Sequence, residues 1–155
     1  VTGGLGSLGV ALSKTLLHNG ADVVSMDLAP SAARDIWDGV VDVANQTDRR
    51  VTYISCDVTS EDSVESAFKE ATKVSRFPIR GLVTCAGVSG RWPAIKYPVD
   101  EFRKIMDINV TGTFLCARAA ARIMHHQNVS GSIVMFASMS GTNVNKVSIV
   151  TLSTH

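Results

Sequence analysis

The stretch Thr2-Gly3-Gly4-Leu5-Gly6-Ser7-Leu8-Gly9 constrains this chain more than any other. It runs straight into apolar residues at helical spacing, Leu8, Leu12 and Leu16, with Ala11 and Thr15 between them. The pattern predicts a tight turn that opens an amphipathic helix. Backbone N–H groups of such a turn, together with the helix N-terminus, suit a diphosphate. Glycine suits the turn because it tolerates unusual φ/ψ and lets another backbone come close. Taken alone, the same turn equally fits a plain strand-to-helix connection, so the rest of the chain decides between the two.

Strand and helix patterns alternate along the chain. Val1 and Thr2 read as the end of a strand, and Gly20 as the stop of the first helix. Ala21 to Met26 is a second strand closed by Asp27, which lies 18 residues after Gly9. A carboxylate at that place can accept two hydrogen bonds from a ribose diol and would repel a 2′-phosphate. Ile36, Val40, Val41 and Ala44 suggest a helix, and Val51 to Cys56 a strand ended by Asp57-Val58. Ser60 is an N-cap, with Glu61 and Asp62 favouring the helix start and Val64, Ala67, Phe68 and Ala71 its buried face. Gly81 to Cys85 is an apolar strand of the kind buried on both sides in a parallel sheet, with the turn Ala86-Gly87 after it. Asp100 is expected to cap a long helix reaching His126, and Gly131 to Phe136 to form a fifth strand with Ser138 just past its end.

Alternation of this kind predicts an α/β fold, a doubly wound parallel sheet with right-handed crossovers. Its ligands bind at the carboxyl ends of the strands, where Gly9's turn, Asp27, Asp57, Gly87 and Ser138 all fall. At 155 residues one domain is expected. With 45% hydrophobic and 19% charged residues it is a globular chain, and a net charge of +1 points to neither nucleic acid nor an anionic membrane surface. No apolar run approaches the ~20 residues of a membrane span, and the first residues are a turn rather than a leader. Cys56, Cys85 and Cys116 sit in apolar stretches without metal-ligand spacing, and His18, His125, His126 and His155 form no ligand pattern. The expectation is a cytoplasmic protein with core cysteines and no metal.

The chain resembles the short-chain dehydrogenase/reductase family from residue 1 to about residue 146. The family's T-G-x-x-x-G-x-G turn maps onto Thr2, Gly3 and Gly9, with Ser7 at the middle glycine position and Gly6 one place earlier. The resemblance implies a Rossmann fold, incomplete here at both ends. It implies that Gly3, Ser7, Leu8, Gly9, Asp27, Asp57, Val58, Cys85, Ala86 and Gly87 hold the cofactor. Asp27 corresponds to the acidic residue of NAD-preferring members, which makes NADP less favoured. Asp57 and the Val58 N–H would hold adenine, and Cys85-Ala86-Gly87 stands where the family has N-A-G. Asn109 matches the residue that kinks the long helix and anchors a relay water. Ser138, three residues before Gly141, matches the catalytic serine. The stretch Ser138 to Asn145 resembles the branch acting on sugar alcohols and ketoses.

The same resemblance implies hydride transfer between a small alcohol or ketone and nicotinamide, with a tyrosine and a lysine four residues later moving the proton. That pair is missing: Tyr53 and Tyr97 have no lysine at that spacing, and the expected places are Thr151 and His155. The expectation is therefore a fragment, with residues 1–146 an incomplete dinucleotide-binding domain and 147–155 a tail outside the family. That tail would not be native coding sequence, since Val147-Ser148 can be encoded by an intron start. The rival reading is a non-catalytic NAD-binding module. The parent enzyme is expected to be a homo-oligomer paired through the long helix Asp100–His126.

Overall fold

The computed structural model describes residues 1–138. Four parallel strands, β1 (Val23–Asp27), β2 (Val51–Ser55), β3 (Gly81–Thr84) and β4 (Ser132–Met135), alternate with helices α1 (Ser7–His18), α2 (Arg34–Gln46) and α3 (Glu61–Val74). A long helical stretch lies between β3 and β4. It consists of α4 (Val99–Met106), a π-helical segment (Asp107–Gly112) and α5 (Thr113–His126). β1 pairs with β2 and β3 with β4, and Thr2 joins the two pairs by bridging Met26 on one side and Thr84 on the other. The Thr2 N–H donates to Val83 O at 3.0 Å and its carbonyl accepts from Cys85 N at 3.1 Å. Counting that stub as the first strand, the order across the sheet is 3-2-1-4-5, that of a doubly wound fold.

The inner strands are covered on both faces, as their apolar runs demand, whereas β4 leaves Val134 and Met135 exposed. On one face α1 and α2 pack Leu17, Val40 and Ala44 against Val23. On the other, α3 and α5 pack Val64, Phe68, Leu115, Ala120 and Met124 against Met26, Ile54 and Leu82. Neighbouring Val23 and Val24 serve opposite faces, the period-2 alternation of a strand. Burying each such large side chain contributes roughly 1.5–3 kcal/mol before conformational entropy is subtracted.

Local chemistry explains the helix ends. Ser60 caps α3, its Oγ accepting the Ser63 N–H at 3.3 Å, and Glu61 and Asp62 occupy the first turn. The long helix begins earlier than the sequence indicated. Pro98 is the N-cap and Val99 the first helical residue, because proline's fixed φ suits a helix entry. Asp100 instead lies in the first turn and pairs with Arg103 at 3.2 Å.

At the opposite end of the sheet from the candidate site, Asp22 accepts both Nε and Nη2 of Arg76, at 2.7 and 2.6 Å, and the Arg50 N–H at 2.9 Å. The Arg76 hydrogen bonds hold the Asp22 carboxyl down to about 2. Its folded value lies below its ordinary one, so the pair's contribution is complete above about pH 4 and fades as pH falls toward 2. Urea midpoints of wild type and Asp22→Asn should differ modestly at pH 6, as solvent screens the pair. They should converge on acidification through that window, and a gap independent of pH would contradict the assignment.

Candidate functional site

At the carboxyl ends of the strands lies a cleft of about 860 Å³. Gly3, Leu5 and Gly6 of the opening turn form one part of its wall, and Asp27 at the end of β1 with Leu28 and Ala29 after it another. Cys56 to Thr59 after β2 and Cys85 to Val88 after β3 complete the strand side, and Asp100, Arg103, Lys104, Asp107 and Ile108 face them from the long helix. The cleft sits where the strand order reverses, the place where open α/β sheets bind ligands.

Two glycines build it. Gly3 has φ +64°, and a Cβ there would lie 2.6 Å from Ala86 N and Cys85 C, so the turn can lie against the β3 loop only without a side chain. A Cβ at Gly9 would stand 2.1 Å from Gly3 O and 2.8 Å from Gly4 Cα, so α1 springs directly from beneath the turn. The middle position of the motif tolerates serine because α1 already begins at Ser7, in ordinary helical backbone. No side chain caps α1 and no acidic residue occupies its first turn, in contrast with α3. Its first-turn amides thus have no side-chain acceptor from the cap position.

Asp27 is tied to the same turn. Its Oδ2 accepts the Leu5 N–H at 2.9 Å and its Oδ1 the Leu28 N–H at 2.8 Å. Each carboxylate oxygen retains capacity for one more donor. Beneath it the Tyr53 hydroxyl donates to the Ala29 carbonyl, with the Asp27 carbonyl a weaker second acceptor at 3.3 Å, and the Tyr53 ring meets Trp37 edge-on at 5.7 Å.

A second cleft, of about 640 Å³, adjoins the first and shares Cys85 to Val88 with it. It brings Asn109 and Ser138 together, with Thr113, Phe114, Met135 and Phe136 also in its walls. Asn109 lies within the π segment, and its side-chain amide makes a paired contact with one residue. Oδ1 accepts the Val88 N–H and Nδ2 donates to the Val88 carbonyl, both at 2.9 Å. The amide therefore fixes the loop that walls both clefts.

Of the residues singled out from sequence, Gly3, Asp27, Asp57, Val58, Cys85, Ala86 and Gly87 line the first cleft, and Asn109 and Ser138 the second. Ser7, Leu8 and Gly9 do not line either. The first two head α1, and Gly9 is buried under the turn. Leu5, Leu28, Thr59 and the α4 residues went unseen in the sequence, and only the strand-end position of the first three offered a signal. Tyr53 and Tyr97 line neither cleft, and burial raises both phenols, the wrong direction for proton transfer near neutral pH. Thr151 and His155 lie outside the described residues, as does the proposed tail. Burial pushes the Cys56 thiol up to about 11 and that of Cys116 to about 12, and it raises Cys85 as well, which disfavours the thiolate a nucleophile needs. Among the described residues no cluster could hold a metal ion, and no helix is long and apolar enough to cross a membrane.

A family model described as short chain dehydrogenase matches residues 1–150, four residues past the expected boundary at Lys146. The chain belongs to that family. The protein "Short chain dehydrogenases/reductase notP′" of Aspergillus versicolor is 46% identical over 146 residues, covering 94% of this chain and 50% of that protein. The D-arabinitol 2-dehydrogenase (ribulose-forming) of Candida tropicalis is 32% identical over 154 residues, covering 94% and 54%. Among solved structures, NAD⁺-bound xylitol dehydrogenase superposes with a TM-score of 0.86 at 28% identity, covering 99% of this chain and 57% of its own. A short-chain type dehydrogenase/reductase from Mycobacterium marinum gives 0.88 at 30% identity, covering 99% and 61%. This short-chain dehydrogenase chain thus spans about half the length of the curated relatives it matches.

Proposed function

We propose that this chain is the NAD-binding part of an oxidoreductase that interconverts an alcohol and a carbonyl. The observation that carries the reading is Asp27, held at the end of β1 by the Leu5 N–H at 2.9 Å, beside a helix N-terminus that no side chain caps. The residues fit a dinucleotide. Side chains are excluded at Gly3 and Gly9, leaving a cradle of bare backbone for the diphosphate. The Asp27 carboxylate accepts the ribose hydroxyls and repels a 2′-phosphate, which favours NAD over NADP. Asp57 and the Val58 N–H take the adenine end. Bound nicotinamide supplies or accepts the hydride, and the chain's task is to fix the orientation of that ring and of the substrate.

In the second cleft Ser138 donates a hydrogen bond to the substrate oxygen, and Asn109 holds the Val88 loop between substrate and cofactor. A proton donor is still required, and the raised phenols of Tyr53 and Tyr97 do not supply it. We place it in a tyrosine and lysine beyond this chain, so the chain by itself binds without turnover. The D-arabinitol and xylitol dehydrogenases among the similar proteins support a small alcohol or ketone, with sugar alcohols first to be tried. The parent enzyme is proposed to be a cytoplasmic homo-oligomer. Calorimetry of the 155-residue chain should detect NADH binding, much weaker NADPH binding, and no oxidation of NADH with a panel of ketones. Equal affinity for the two nucleotides would refute the Asp27 assignment, and turnover would refute the missing proton donor.

A further inference from the structure

Asp57 stands just past β2 in the wall of the first cleft, and its carboxylate is held unequally. Both donors of Thr59 go to a single oxygen: the N–H reaches Oδ1 at 2.9 Å and the Oγ1 hydroxyl reaches it at 2.7 Å. The Asp57 N–H in turn donates to Ser63 Oγ at 2.9 Å, in the first turn of α3 that Ser60 caps. Backbone and side chain of Asp57 are thus pinned independently. An acid oxygen offers two in-plane lone pairs, so Thr59 fills Oδ1. Among the described residues Oδ2 accepts no hydrogen bond, which leaves it as the open acceptor.

We propose that Thr59 is a positioning residue, orienting Asp57 so that Oδ2 meets the exocyclic amino group of a 6-aminopurine and the cleft rejects 6-oxopurine nucleotides. The inference rests on the proposed occupancy of this cleft by an adenine nucleotide. An ionised carboxylate only accepts. A 6-amino group donates to it, whereas a 6-oxo group sets lone pairs against it. Discrimination requires a carboxylate that cannot turn away. Removing the Thr59 hydroxyl empties one site on Oδ1, and the carboxylate can then rotate and take water instead. The plainer role for Thr59 is to brace the turn into α3, which would affect all ligands alike.

The test compares dissociation constants of NADH and reduced nicotinamide hypoxanthine dinucleotide on the 155-residue chain and on its Thr59→Val and Thr59→Ser variants. Thr59 is exposed, so neither substitution disturbs the core. The wild type should prefer NADH by about tenfold, the cost of one charged hydrogen bond lost. Thr59→Val should reduce that preference by roughly threefold while Thr59→Ser restores it. An unchanged preference in Thr59→Val, equal weakening of both nucleotides, or no recovery in Thr59→Ser would each overturn the proposal. A wild type that binds neither nucleotide would sink the cofactor reading itself, visibly and before any variant is compared.

Discussion

Asp27→Ala should weaken NADH binding about a hundredfold, the loss of two hydrogen bonds to a charged acceptor. It should strengthen NADPH binding relative to wild type, because the carboxylate that repels a 2′-phosphate has gone. The substitution also frees the Leu5 and Leu28 N–H groups that Asp27 now satisfies. Both lie at the cleft and can turn to water, so the fold should survive with a small loss of stability. Asp27→Asn separates the two effects. Its carbonyl still accepts one backbone N–H, while it offers the ribose a weaker, neutral partner. Isothermal titration of the three proteins with both nucleotides reads the outcome. An alanine variant that retains wild-type NADH affinity would remove Asp27 from the site.

The other large effect concerns Ser138. In a full-length protein containing this chain, Ser138→Ala should lower kcat by about 10²–10³, the usual cost of deleting one donor to a reacting oxygen. Affinity for NADH should not change, because Ser138 lines the second cleft and not the first. Asn109→Ala should behave differently. The Val88 loop walls both clefts, so releasing it should affect cofactor affinity and turnover together. Stopped-flow kinetics separates these patterns. A Ser138→Ala protein that loses cofactor affinity, or keeps wild-type kcat, would contradict its placement.

The strands and helices were legible because their signals are local. Alternating apolar periods, the Ser60 cap and the acids at the ends of β1 and β2 all act over a few residues, and the structure places them accordingly. The cleft's far wall was not legible. Arg103, Lys104, Asp107 and Ile108 enter it only because the long helix crosses the strand ends, a packing result that no short window records. The π segment belongs to the same class. Its Asn109 amide is drawn to Val88, 21 residues away, and neither partner marks the other in sequence. The shifted glycine of the opening motif looked like a departure when counted, yet helix α1 starts at Ser7, where a side chain is harmless. Thr59 was not singled out in the sequence. Only the two distances to one oxygen of Asp57 reveal an orienting contact.

The proposed function requires an adenine dinucleotide along the strand ends, from the α1 N-terminus to Asp57. An amide ¹H–¹⁵N spectrum of the chain, recorded as NADH is added, tests that placement residue by residue. Leu5, Gly6, Leu28, Val58, Thr59 and Ala86 should shift together and saturate with one binding constant. Absence of any shift would contradict the placement, and so would shifts confined to the groove between α3 and α5, around Phe68, Leu115 and His125.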